Sequence, residues 1–196
     1  MIIPKGILKI LLETRDSKHL NAVCRGVHVF STGYVAASDG NVAFVSNELD
    51  MKSTSVTQDI LISLGAISLG GIENFIVDVN SSCLTGLNKK DEVVSMFPFT
   101  LESVSPVNFR NVYAKHKQSQ NGCLTLDPKY MKRLASVFPD NSDVYFRIGE
   151  EGTPSIAIGD QGALIIMPRK PKPRSLPKIL QDISLDNFKV DTATVE

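Results

Sequence analysis

Tryptophan is absent from this chain of 196 residues, and that absence alone excludes nothing. Cysteine is scarce. Cys24, Cys83 and Cys123 are an odd number without the spacing of metal ligands, which argues against a disulfide framework or a zinc ribbon and fits a reducing cytosol. Net charge is lacking as well, with 21 Lys and Arg against 21 Asp and Glu, and the balance holds separately in residues 1–120 and 121–196. A uniformly basic nucleic-acid coat is therefore excluded, while a local basic face opposed by an acidic one is not. The opening Met1-Ile-Ile-Pro-Lys-Gly6 contains no long apolar run, so neither a signal peptide nor a membrane span is expected, and a cytoplasmic chain with no membrane partner is.

The parts of common catalytic sites are missing too. No glycine-rich loop ends in lysine and serine or threonine; Gly65 and the pair Gly70-Gly71 have no such lysine. No serine sits in a nucleophile elbow, and His19, His28 and His116 lack a metal-site pattern. The expectation is a chain with no catalytic residue, metal or cofactor. The competing reading from another class is a small enzyme on an unrelated α+β fold.

What is present is alternation. Pro4 suits a first helical turn, and Ile7, Leu8, Leu11 and Leu12 predict a helix to about Glu13. From Ala22 the period drops to two, with Val23, Arg25, Val27 and Val29 set against Cys24, Gly26, His28 and Phe30, which predicts a strand. Strands follow at Tyr34–Ala37 and Val42–Ser46, joined by the tight turn Ser38-Asp-Gly-Asn41, since Asp-Gly is a strong hairpin signal.

This plan of helix then meander recurs twice. The second unit has strands at Ile60–Ile62, Phe75–Val79, Leu84–Leu87 and Val93–Leu101, with a weak helix over Leu64–Leu69. The third has a strand at Cys123–Leu126, a helix capped by Asp127 and running from Pro128 to Phe138, and strands at Val144–Ile148, Ser155–Ile158 and Ala163–Met167. The class is α+β, made of repeated helix plus antiparallel sheet units. The expected organisation is a two-unit domain over 1–114, a polar linker over 115–122, a half domain over 123–171 and a basic, proline-rich tail over 172–196 with a short amphipathic helix.

Two distant stretches, Val35–Val45 and Leu164–Arg169, resemble signature segments of the bacterial DNA sliding clamp, the β subunit of DNA polymerase III. Ser38-Asp39-Gly40 resembles the family's Thr-Asp-Gly hairpin. Val107–Val112 resembles its segment of proline, acid, aromatic, two arginines and valine, of which the aromatic, the first arginine and the valine are kept. Leu126–Tyr130 resembles the start of the last clamp helix, and Ile165-Ile-Met-Pro168 the final strand. Aligned in this way, the chain is similar to a middle clamp domain joined to the latter half of the last one.

The resemblance implies a DNA-clamp-like fold and a binding protein of DNA replication, of a phage or plasmid type, acting as a processivity factor or scaffold. Its partners would be DNA polymerase or other clamp-binding proteins, with duplex DNA contact and homo-oligomerisation both open. The implied apolar cleft for partner peptides is built from Cys24, Ser38, Ala43, Val107, Asn111, Val112, Ile165, Met167, Pro168 and Arg169. The implied DNA-facing cations are Lys5, Lys9, Lys129, Lys132 and Arg133. Any amphipathic surface helix carries such lysines, and each apolar residue taken singly fits a simple core position. A decoy or adaptor that kept the cleft without the ring is the alternative within the resemblance. The tail segment Gln181–Phe188 carries the glutamine, leucine and aromatic of cleft-docking peptides at irregular spacing.

Overall fold

Pro4 closes a short strand, β1 (Ile2–Pro4), and precedes helix α1 (Lys5–Thr14). In this computed structural model the described residues are 1–51, 55–117, 128–138, 143–150 and 152–167. Helix α1 buries Ile7, Leu8, Ile10, Leu11 and Thr14 along one face, as the apolar spacing predicts. Its end is tied down by Arg15, whose guanidinium donates to the carbonyl oxygens of Leu64 (2.9 Å) and Arg25 (3.3 Å).

The next stretch departs from expectation. Ala22–Arg25 is a short helix, α2, and not the start of a strand, because the Asn21 side chain accepts from Val23 N–H at 3.0 Å and nucleates a turn. The alternation holds only from β2 (Val27–Val29), which is followed by β3 (Val35–Ser38), β4 (Val42–Ser46) and β5 (Ile60–Leu64). The weak helix expected over Leu64–Leu69 does not form: Leu64 ends β5 and the chain continues without helical structure. Gly65, Gly70 and Gly71 lower helix propensity there, and Ile67 and Leu69 pack against the core from irregular backbone.

Strands β6 (Asn74–Asp78), β7 (Cys83–Leu87) and β8 (Val93–Leu101) complete the second meander. Helix α3 (Phe109–Tyr113), helix α4 (Pro128–Val137) and strands β9 (Tyr145–Arg147), β10 (Ser155–Gly159) and β11 (Gly162–Ile166) follow. The expected strand Cys123–Leu126, the Asp127 cap, residues 118–122 of the expected linker and everything after Met167 lie outside the described residues.

Among the described residues the strands form one sheet in the order β1-β6-β7-β8-β5-β2-β3-β4-β11-β10-β9, and every pairing is antiparallel. The α+β class with an antiparallel sheet is thus observed directly. Strand β8 bridges the halves, pairing with β7 over residues 93–98 and with β5 over 99–101. Helices α1 and α4 touch each other, and α1 packs on β3 and β4. The core between helices and sheet takes Val27, Val29, Val35, Ala37, Val42, Phe44, Leu164 and Ile166 from alternate strand positions, with Tyr130, Leu134, Val137 and Phe138 from α4.

Candidate functional site

The residues skipped by that alternation point to the other face of the sheet. There Ala36 of β3, Ala43 of β4 and Ile165 of β11 form a second apolar cluster with Phe109, bordered by Phe30, Val45, Val107 and Val112. The pairings Ala36↔Val45 and Ala43↔Ile165 set these side chains next to one another. Both faces of the mid-sheet strands are therefore buried, which explains why Val35-Ala-Ala and Leu164-Ile-Ile read as continuous apolar runs. The cover on this second face is the segment 104–117, a strap that carries α3.

Asn108 caps α3 by accepting from Asn111 N–H at 3.2 Å. Phe109 enters the cluster edge-on to His28, with ring centroids 5.2 Å apart, and edge-on to Phe30. His28 is itself fully buried. Its Nδ1 accepts from Val107 N–H at 3.2 Å, and its Nε2 donates to the Val23 carbonyl at 3.0 Å. An amide can only donate and a carbonyl can only accept, so the neutral ring with its proton on Nε2 satisfies both. Burial pushes the His28 pKa down to about 4, against the opposing effect of the Val23 hydrogen bond. Further along the strap, His116 Nδ1 lies 2.7 Å from the Pro154 carbonyl, and Arg147 donates to the Tyr113 hydroxyl at 2.9 Å. The strap thus spans from β2 to the β9–β10 hairpin.

Of the residues expected to form a cleft, Ala43, Ile165, Val107 and Val112 share this cluster. Ala43 and Ile165 are buried beneath the strap, and Val107 and Val112 are half-buried at its border. Met167 lies two positions beyond Ile165 and is 40 % exposed, with its N–H on the Asn41 carbonyl at 2.8 Å. Ser38 is half-buried in the β3–β4 turn, where its hydroxyl donates to the Val42 carbonyl at 2.9 Å and accepts from Gly40 N–H at 3.0 Å. Gly40 adopts φ +86°, which favours glycine at that corner. Cys24 is buried against the same turn rather than in the cluster; burial first, then the Asp39 and Asp16 carboxylates, raise its thiol pKa. Asn111 is exposed, and Pro168 and Arg169 lie outside the described residues.

The five cations lie on the two touching helices, α1 and α4. Lys9, Lys129 and Lys132 are exposed, while Lys5 and Arg133 are half-buried. Lys9 is 3.9 Å from Glu13, and the Lys129 ammonium lies 4.8 Å from the centroid of the Tyr130 ring. Arg133 makes a 2.7 Å ion pair with Asp39. Among the described residues no group of three or more His, Cys, Asp or Glu could hold a metal, and no helix is long and apolar enough to cross a membrane.

Sequence reasoning missed His28 and Asp39. For His28 a signal existed, since it alternates with Val27 and Val29 on a buried strand. For Asp39 the Asp-Gly signal marked its place in the turn but not its hold on Arg133, which lies 94 residues away.

No family model matches this chain, and no curated protein does. Among solved structures the chain is similar to a Helicobacter pylori beta clamp bound to a DNA ligase peptide, with TM-score 0.48 and 11 % identity over 91 % of this chain and 70 % of that one. It is also similar to a putative DNA polymerase III beta subunit from Eubacterium rectale, with TM-score 0.44 and 10 % identity over 94 % of this chain and 68 % of that one.

Proposed function

We propose that this chain is a clamp-like binding protein of DNA replication, a scaffold that receives an extended segment of a polymerase or another clamp-binding partner. The observation that supports this reading is the meeting of three segments far apart in sequence. Ala43, Ile165 and Phe109 share one apolar cluster bordered by Val107 and Val112, and the register places Ala43 beside Ile165. The partner would dock at the rim, where Met167 and Val112 offer apolar surface beside Ser38 and Asn111. An unbranched thioether such as Met167 accommodates varied leucine and phenylalanine anchors. Affinity would come from a few such anchors and not from the whole contact area.

Replacing Val112 and Met167 together by aspartate tests this, because Met167 is exposed and Val112 sits at the border of the cluster, and an unchanged circular dichroism spectrum of the variant checks that the fold survives the charges. A labelled peptide with glutamine, leucine and phenylalanine anchors is titrated by calorimetry against both proteins. The double variant is expected to lose about 2 kcal/mol or more of binding free energy, the scale of interface hot spots. Equal affinities, or no binding to the wild type, would overturn the proposal.

A further inference from the structure

The turn beside the rim is held from the opposite side of the sheet. Arg133 Nη1 of α4 donates to Asp39 Oδ2 at 2.7 Å, with the two side chains 24 % and 8 % exposed. The other oxygen of that carboxylate, Oδ1, accepts from Asn41 N–H (2.9 Å) and Val42 N–H (2.8 Å). A single carboxylate thus holds both the turn and the helix. The Asn41 carbonyl next accepts from Met167 N–H, and Val42 and Ala43 set the register of Ile166 and Ile165. A short charge-assisted bond shielded from water persists where an exposed pair such as Lys9–Glu13, at 3.9 Å, contributes little.

We propose that Arg133 is a positioning residue for the rim: by holding Asp39 it fixes the Ser38–Val42 turn, and through that turn Met167, in the arrangement that receives a peptide. The guanidinium is then committed to the turn and does not serve as a phosphate contact. The inference rests on the peptide-docking function proposed above and identifies the device that shapes its site.

The test is Arg133→Gln in the full chain, which leaves the Asp39 bonds within the turn intact. Amide hydrogen exchange at Asn41, Val42 and Met167 is expected to quicken roughly tenfold, the scale of one charge-assisted hydrogen bond, with the α1 amides unchanged. The affinity of the labelled peptide should fall by about the same factor, and Arg133→Lys should recover most of both losses. Unchanged exchange at those three amides overturns the positioning role, and so does faster exchange with equal peptide affinities in variant and wild type. Faster exchange beside a wild type that binds no peptide retains the hold of Arg133 on the turn but overturns its role in docking together with the proposed function. The exchange readout thereby separates a failure of the positioning from a failure of that function.

Discussion

At position 28 an ionisable ring has no exposed surface and spends both nitrogens on backbone groups. Protonation would turn Nδ1 into a second donor facing the Val107 N–H, so the folded protein resists it. With the folded pKa lowered to about 4 and the unfolded value near 6.5, the unfolded chain takes up the proton first as pH falls. Stability attributable to His28 is therefore complete above about pH 7 and is lost between about pH 6.5 and pH 4. Urea unfolding is expected to show a loss of about 2 kcal/mol between pH 7 and pH 5. His28→Gln should flatten that slope while lowering stability at pH 7. An NMR titration placing His28 near 6.5 in the folded protein would contradict the account. That histidine was legible in the sequence only as a buried strand position, because its role depends on a strap about 80 residues later in the chain.

Between elements, the pairing of β11 with β4 joins the third unit to the first. Gly162 opens β11 opposite Ser46 with φ +147°, and a Cβ there would run into the Val45 carbonyl and the Ser46 backbone. Gly162→Ala is expected to cost about 2–4 kcal/mol, because backbone strain and a backbone clash both oppose it. Gly6→Ala makes a fitting control. Gly6 lies in α1 with open space around its Cα, so the change should be neutral or stabilising by less than about 1 kcal/mol. Chemical denaturation of both variants checks the pair, and equal stabilities would mean that the β11–β4 register is looser than described. Helix α1 and an alternating strand such as β6 could be read from period, since one face of each is apolar, whereas β3, β4 and β11 show as short apolar runs bounded by turns because both their faces are covered. Strand β1 could not, as three residues are too few to show a period, and α2 could not, because a side-chain cap outweighed the alternation around it.

For the whole molecule, the helices and the strap cover opposite faces of one sheet, so a DNA-binding surface and a peptide-binding rim would not compete for space. Lys5, Lys9, Lys129 and Lys132 on α1 and α4 are the cations to test, leaving Arg133 on Asp39. If they contact phosphates, affinity for duplex of any sequence should fall roughly a hundredfold between 50 and 200 mM salt, as expected for about four contacts. Changing the four to glutamate should abolish binding at low salt in a fluorescence anisotropy assay. Equal affinity in the variant, or no binding by the wild type at low salt, would favour a decoy or adaptor that engages partners without DNA. The solution mass with and without duplex, measured by light scattering, tells whether more than one copy assembles.

What the sequence determined by itself was local. Period-two runs, an Asp-Gly turn and apolar helical spacing specify strands, a hairpin and a helix through backbone geometry and the burial of one face. An α+β chain with antiparallel neighbours follows from short connections between such elements. Which strands pair across 120 residues, where Phe109 inserts, and which carboxylate Arg133 holds were decided only by the tertiary structure. The physical reason is that packing two faces of one sheet depends on registers and side-chain volumes that no short window of sequence contains. Ala36 and Ala43 are small at the place where the distant Phe109 ring packs, a fit that no residue near them in the chain announces.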